Sequence, residues 1–291
     1  MPTIAVVGPG AIGGMLAAWL CRNEENQVVV CARTPLTRID VDTPEGAFEA
    51  MPEILLEPKE AAAVDWALVC VKTYQVAESS VWLSGLVDEN TRVAVVQNGV
   101  EHEENLSPYV PKSQLLPVMI ACPVERVSPE KILQRAAGRM VVPKSNIGGE
   151  FERLFSESIL EVSQTATFKT EAWRKLCLNA AGAVMAITDI PARVSHHPDG
   201  DALIRELARE CYEVARAEGA ALDASVVAWV SERYRAHDPE SVHSLHADKR
   251  AGSPMEIQAR NGIIVERGKY HGIPTPFNEM AVRLLRAAAE G

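Results

Sequence analysis

The chain has 291 residues, 47% of them hydrophobic and 23% charged, ordinary values for a soluble globular protein with room for two cores. Its 29 basic residues are outweighed by 39 acidic ones, a net charge of −10, which excludes a general nucleic-acid or anionic-membrane binder. No apolar run approaches the roughly 20 residues that span a bilayer, and the start, MPTIAVVG, lacks the basic segment and apolar core of a signal peptide. The six cysteines, at 21, 31, 70, 122, 177 and 211, are widely spaced with no CxxC pair, and read as buried reduced thiols in a cytoplasmic protein.

TIAVVG is a short apolar run closed by glycine, and AIGGMLAAWLCR follows with helical character. QVVVCAR is the next strand, and RIDVDTPEGAFEA reads as a hairpin turning at Pro44-Glu45-Gly46, followed by EILLE. WALVCVK is a buried strand, QVAESSVWLSGL a helix, and TRVAVVQNG and QLLPVMIACPV two further strands. ILQRA and RMVV, separated by a glycine-containing turn, are expected as edge strands before a helix near 149–162. This β-α-β order predicts a mostly parallel sheet with helices on both faces. Beyond about residue 165 the strands stop: EAWRKLCLNAAGAVMAI, DALIRELARECYEVARAEG, DASVVAWVSERYRAH, PMEIQARNGIIVERGKYHG and FNEMAVRLLRAAAE all show helical spacing.

Gly8, Gly10 and Gly13 form G-P-G-A-I-G between the first strand and the first helix. At the head of a β-α-β unit this is a dinucleotide fingerprint. Gly8 permits the turn, Gly10 lets backbone approach a pyrophosphate, and Gly13 allows close helix–strand packing. The N–H groups of the helix start, at Ala11, Ile12 and Gly13, face the phosphates. The fold expected is therefore α/β, with a Rossmann-type N-terminal domain over 1–165 and an all-helical C-terminal domain over 166–291. After the second strand stand Ala32, Arg33 and Thr34, with no carboxylate before Asp40. A guanidinium there suits a 2′-phosphate, so the cofactor expected is NADPH/NADP rather than NADH; the alternative is an exposed arginine without a task.

Lys72 ends WALVCVK and Asn98 ends TRVAVVQNG, so with Gly8 and Arg33 they lie at the carboxyl ends of four strands, the ligand edge of an open α/β sheet. In the helical half, Asn179 stands in a run from Cys177 to Ile187 that is otherwise apolar or glycine, four residues after Lys175, and the two project from one face. That face is either wet or meets a ligand.

The pieces GPGAIG, the arginine after the second strand, VKTYQ, QNG, WRKLCLN, SLHAD and MEIQARNG, in this order, resemble the ketopantoate reductase (2-dehydropantoate 2-reductase) family over essentially the whole chain. The resemblance implies an NADPH-dependent reductase of a 2-keto acid. It implies Lys175 as general acid with Glu256 beside it in the catalytic set, and Asn98, Asn179 and Ser244 as substrate-binding residues. Gly8, Gly10, Ala11, Ile12, Gly13, Arg33, Lys72 and Asn98 would serve the cofactor. The chemistry agrees: a ketone receiving hydride needs a proton, and an ammonium can stabilise the oxyanion and then donate. Alternatives are a reductase of another carbonyl or of an imine on the same scaffold, and a non-catalytic NADPH-binding sensor.

Two positions depart from the family pattern. Ala183 and Arg193 stand where the family often carries asparagine, which suggests a keto acid other than ketopantoate, with Arg193 clamping an additional carboxylate. His243 and His246 are three apart but without a third ligand, so they read as exposed residues and not as a metal site. Glu256 and Arg260 read as an i,i+4 helix pair. The partners expected are a small keto acid and a second copy of the chain in a homodimer, with no nucleic acid and no membrane.

Overall fold

A computed structural model describes residues 1–289; Glu290 and Gly291, which close the expected C-terminal domain and its last helix, lie outside the described residues. The chain falls into two units, Met1–Phe168 and the residues from Lys169 onward.

In the first unit the elements are β1 (Thr3–Val7), α1 (Ala11–Cys21), β2 (Gln27–Cys31), β3 (Ile39–Thr43), β4 (Gly46–Ala50), β5 (Glu53–Leu55), β6 (Trp66–Val69), α2 (Val76–Leu86), β7 (Arg92–Val96), α3 (His102–Leu106), β8 (Leu115–Ala121), β9 (Val124–Arg126), β10 (Lys131–Gln134), β11 (Arg139–Pro143), α4 (Asn146–Leu154) and β12 (Glu161–Thr165). An eight-stranded sheet has the order β12-β11-β8-β7-β6-β1-β2-β5 and is parallel except where β11 meets β8. Strand order reverses beside β1, which places a crevice over the carboxyl ends of β1 and β6. Side chains alternate across this sheet. Ile4, Val6, Trp66, Leu68, Ala94 and Val96 join a core with α1 and α4, whereas Ala5, Val7, Ala67, Val69, Val93 and Val95 join one with α2 and α3.

A second sheet, of order β4-β3-β10-β9, covers the other side of α1. Its Ile39, Val41, Ala50 and Ile132 share one core with Met15, Leu16 and Trp19, and the Trp19 indole donates to Gln134 Oε1 at 2.8 Å. This corrects the expectation for ILQRA. An edge strand was expected; β10 lies between β3 and β9, because a helix apolar on all sides must be walled on both. RMVV is likewise interior, as β11 lies between β8 and β12. The true edge, β12, escapes a periodicity reading because EVSQT is polar and only half buried. The helix expected near 149–162 is α4, which starts at a Ser145 cap accepting from the Gly148 N–H at 3.0 Å and ends at Leu154.

Among the described residues every regular element after β12 is helical: α5 (Phe168–Ala181), α6 (Ala183–Thr188), α7 (Pro198–Ala217), α8 (Ser225–Arg235), α9 (Ser244–Arg250), a π turn (Gln258–Gly262), α10 (Ile263–His271) and α11 (Pro276–Ala289), with a 3-10 turn at Ala192–His196. The run EAWRKLCLNAAGAVMAI is thus two helices broken at Gly182, where a Cβ would meet the Tyr234 hydroxyl at 2.9 Å. PMEIQARNG is not continuous helix either: residues 253–257 form no regular element, and the π turn begins only at Gln258. Among the described residues no helix is long and apolar enough to cross a membrane, and none of the six cysteines forms a disulfide.

The helical unit is pinned by a buried polar chain. Glu210 of α7 accepts from the backbone N–H groups of Phe277 and Asn278, both at 2.8 Å, so a carboxylate from another helix caps α11. Asn278 Nδ2 donates to Glu210 Oε2 at 2.7 Å, and Asn278 Oδ1 accepts from Asn261 Nδ2 at 2.9 Å. Asn261 Nδ2 also donates to the Ala180 carbonyl at 3.0 Å. Asn261 and Asn278 are fully buried, so cutting the chain strands several polar groups in the interior. Asn278→Ala is expected to cost roughly 2–4 kcal/mol in urea unfolding, and a loss below about 1 kcal/mol would show that the chain does not hold the helices.

Candidate active site

The first helical bond of α1 runs from Gly14 N–H to the Gly10 carbonyl at 2.9 Å, which leaves the N–H groups of Ala11, Ile12 and Gly13 without helical acceptors. No side chain caps this end and no acidic residue stands in its first turn. Gly8 has φ +90° and lies against Val71, while a Cβ on Gly13 would sit 2.2 Å from the Gly8 carbonyl oxygen. Around a Cβ on Gly10 there is open space. Gly8 and Gly13 therefore serve the turn and the packing, and Gly10 leaves room for an anion to approach backbone. This is a fit for a dinucleotide pyrophosphate.

The neighbouring strand ends are tied together. Gln97, buried next to Asn98, donates through Nε2 to the Val71 carbonyl at 2.9 Å, and His102 Nε2 lies 3.0 Å from the Gln97 carbonyl. These contacts fix the turns that carry Lys72 and Asn98, both half-buried. Arg33 is exposed just beyond β2, with Glu78 Oε1 at 3.4 Å from its Nη1. Such an exposed pair is weak enough for another anion to displace. Sequence reasoning missed Arg126 of β9, whose Nη1 donates to the Pro9 carbonyl at 2.6 Å and so grips the glycine loop from the second sheet.

In the helical unit, the face of α5 carrying Lys175 and Asn179 meets the π turn and the start of α9. Arg260 Nη2 donates to Ser244 Oγ at 2.6 Å, and its Nη1 lies 3.5 Å from the Asn179 carbonyl. Glu256 and Arg260 are each 3% exposed, whereas Ser244 is open to solvent. Part of the Lys175 side chain stays accessible, yet its ammonium is enclosed as an interior group is. That desolvation, then the Arg260 charge, bring its pKa down to about 8 against an opposing pull from Glu256. Lys175, Asn179, Ser244 and Glu256 are thus brought together, with Arg260 added. Its sequence signals were its place in MEIQARNG and its spacing of four from Glu256. The Glu256–Arg260 pair is not the helix pair expected, since Glu256 lies before the π turn, outside any helix.

Two further expectations fail. His246 is fully buried, with Nε2 at 2.7 Å from Asp189 Oδ1, and His243 is half-buried, its pKa pushed down to about 4 by burial. They are interior because the Leu245 turn of α9 packs on α6. Among the described residues no three His, Cys, Asp or Glu side chains gather as a metal site. The carboxylate that Arg193 binds is the chain's own: its Nη1 pairs with both oxygens of Glu240, Oε2 at 2.5 Å. Ala183 opens α6 as a fully buried core residue.

Two family models match, "Ketopantoate reductase PanE/ApbA" over residues 4–146 and "Ketopantoate reductase PanE/ApbA C terminal" over residues 167–289. The 2-dehydropantoate 2-reductase of Caulobacter vibrioides is 48% identical over 99% of this chain and 100% of that protein. The enzyme of the same description from Mycobacterium tuberculosis is 35% identical over 99% and 98%. The crystal structure of a PanE/ApbA family ketopantoate reductase from Ralstonia eutropha superposes with a TM-score of 0.90 at 26% identity, covering 100% and 99% of the two chains.

The two kinds of glycine separate in one experiment. Gly13→Val should lower unfolding stability by roughly 1–3 kcal/mol through the clash with Gly8. Gly10→Val should leave stability nearly unchanged yet weaken NAD(P)H binding at least about tenfold by filling the approach to the phosphates. Equal stability losses would remove the distinction.

Proposed function

This chain belongs to the ketopantoate reductase family, and from that premise we propose that it catalyses NADPH-dependent reduction of a 2-keto acid, 2-dehydropantoate or a close relative, to the 2-hydroxy acid. The observation that carries the reading is Lys175. A free lysine, with a pKa near about 10.4, holds its proton too tightly to be an efficient donor near neutrality. At about 8 it is still mostly protonated at pH 7 and far readier to release.

NADPH, when bound, would supply hydride chemistry to the keto carbon. The helix start at Ala11, Ile12 and Gly13 would hold the pyrophosphate, and Arg33, now beside Glu78, would hold the 2′-phosphate. Lys72 and Asn98 serve the cofactor at the strand ends, Asn98 the substrate as well. Lys175 Nζ donates a hydrogen bond to the substrate carbonyl oxygen and passes its proton there as negative charge builds. Asn179, one helical turn along, orients the substrate. The Ser244 hydroxyl donates to the carboxylate. Glu256 is the buried counter-charge that keeps Lys175 protonated, since its pull raises the lysine pKa. With Arg193 held by Glu240, no residue argues for a second carboxylate on the substrate.

Purified protein should oxidise NADPH in the presence of 2-dehydropantoate, and kcat/KM for reduction should fall as pH rises through about 8, because Lys175 then loses the proton it must give. Lys175→Ala should cut kcat roughly 100- to 10,000-fold while NADPH affinity stays within about threefold. Cofactor binding without turnover of any keto acid would leave the sensor reading in its place. Arg33→Ala should raise KM for NADPH about tenfold or more and leave KM for NADH within about twofold; equal effects would dismiss the 2′-phosphate assignment.

A further inference from the structure

The mechanism above leaves one buried cation unused. Arg260 projects from the π turn, a widening common at functional sites, and Gly262 N–H closes that turn on the Ile257 carbonyl at 2.9 Å. A guanidinium is costly to bury without an anion. Nη2 is used by Ser244 and Nη1 reaches the Asn179 carbonyl, but Nε has no hydrogen-bond partner.

Around it, the Arg260 charge lowers the Lys175 pKa while Glu256 opposes it. Tyr234 of α8, which Arg260 also influences, is held neutral because burial pushes its pKa up. His243, before α9, is pushed down to about 4 and is neutral as well. The nearly buried Arg260 cation therefore stands directly behind the exposed Ser244. Because Ser244 Oγ accepts from Arg260, its own O–H is free to point outward as a donor.

We propose that Arg260 is a positioning residue for substrate charge, holding the Ser244 hydroxyl outward as a donor and making the site select a keto carboxylate over its neutral amide. The inference rests on the keto acid reading above and adds its means of discrimination. It needs no direct contact between Arg260 and substrate, which matches the near-complete burial of the side chain.

The test compares 2-dehydropantoate with its primary amide, by kcat/KM and by calorimetric binding of the corresponding hydroxy acid and hydroxy amide to the NADP-loaded protein. In Arg260→Met the acid-over-amide ratio should fall roughly 10- to 100-fold, mostly through KM for the acid, and Arg260→Lys should restore part of it. The alkaline limb of the pH profile should move upward in Arg260→Met, because a charge that depresses the Lys175 pKa is gone. A merely structural clamp would weaken acid and amide alike, and an unchanged ratio overturns the proposal. If Arg260→Met does not fold, Ser244→Ala at its exposed position decides: a loss of at least about fivefold in the ratio supports the proposal and an unchanged ratio overturns it. Wild-type protein that turns over no keto acid would count against the functional reading alone, since the binding ratio still reports on Arg260.

Discussion

A single buried amide organises the chemistry of the helical unit. Asn261 reaches the last turn of α5 through the Ala180 carbonyl and the first turn of α11 through Asn278. An interior N–H group left without an acceptor is costly, so both contacts must form together or the π turn must move. The turn itself is one residue wider than an α-turn, and that extra residue sets the direction of the side chain before Asn261. The side chain so directed is Arg260, and through it Ser244 and the backbone of Asn179 come into register with Lys175. Stability and site geometry are therefore not separable here. Glu210, buried in α7, belongs to the same construction, because it fixes the end of α11 from which Asn278 reaches out.

The first unit solves a different problem. Its opening helix is apolar on every side, which a helix lying on one sheet could not afford. The second sheet closes the open side and joins its own residues to the same core. A firm α1 matters because the N–H groups at its start must stay aimed at one point in space; an anion site made of backbone has no side chain to adjust. The buried Gln97 gives comparable order to the next strand ends, since it bridges to Val71 before the chain turns out through Asn98.

Much of this was legible in the residues. Strong apolar runs such as WALVCVK and TRVAVVQNG, and the glycine spacing after β1, have local causes, so each could be read in place. The grouping of Lys175, Asn179, Ser244 and Glu256 came from resemblance, because residues 175 and 256 are joined by no periodicity. What escaped was decided by tertiary partners. EVSQT is polar and pairs only because β11 offers it an edge. His246 looks like a surface residue until Asp189, at φ +55°, turns its carboxylate toward it. Arg193 seemed available for a ligand, and only the folded chain brings Glu240 to it, 47 residues away. Arg260 looked like half of an ordinary helix ion pair, since nothing in MEIQARNG announces that regular helix waits until Ile263.

The grip of Arg126 on the Pro9 carbonyl has a mechanical corollary. It fastens the β9–β10 ribbon to the glycine turn through a backbone acceptor, so the specificity of the clasp resides wholly in the arginine. A ribbon grafted here without that guanidinium would leave the turn to hold its shape alone.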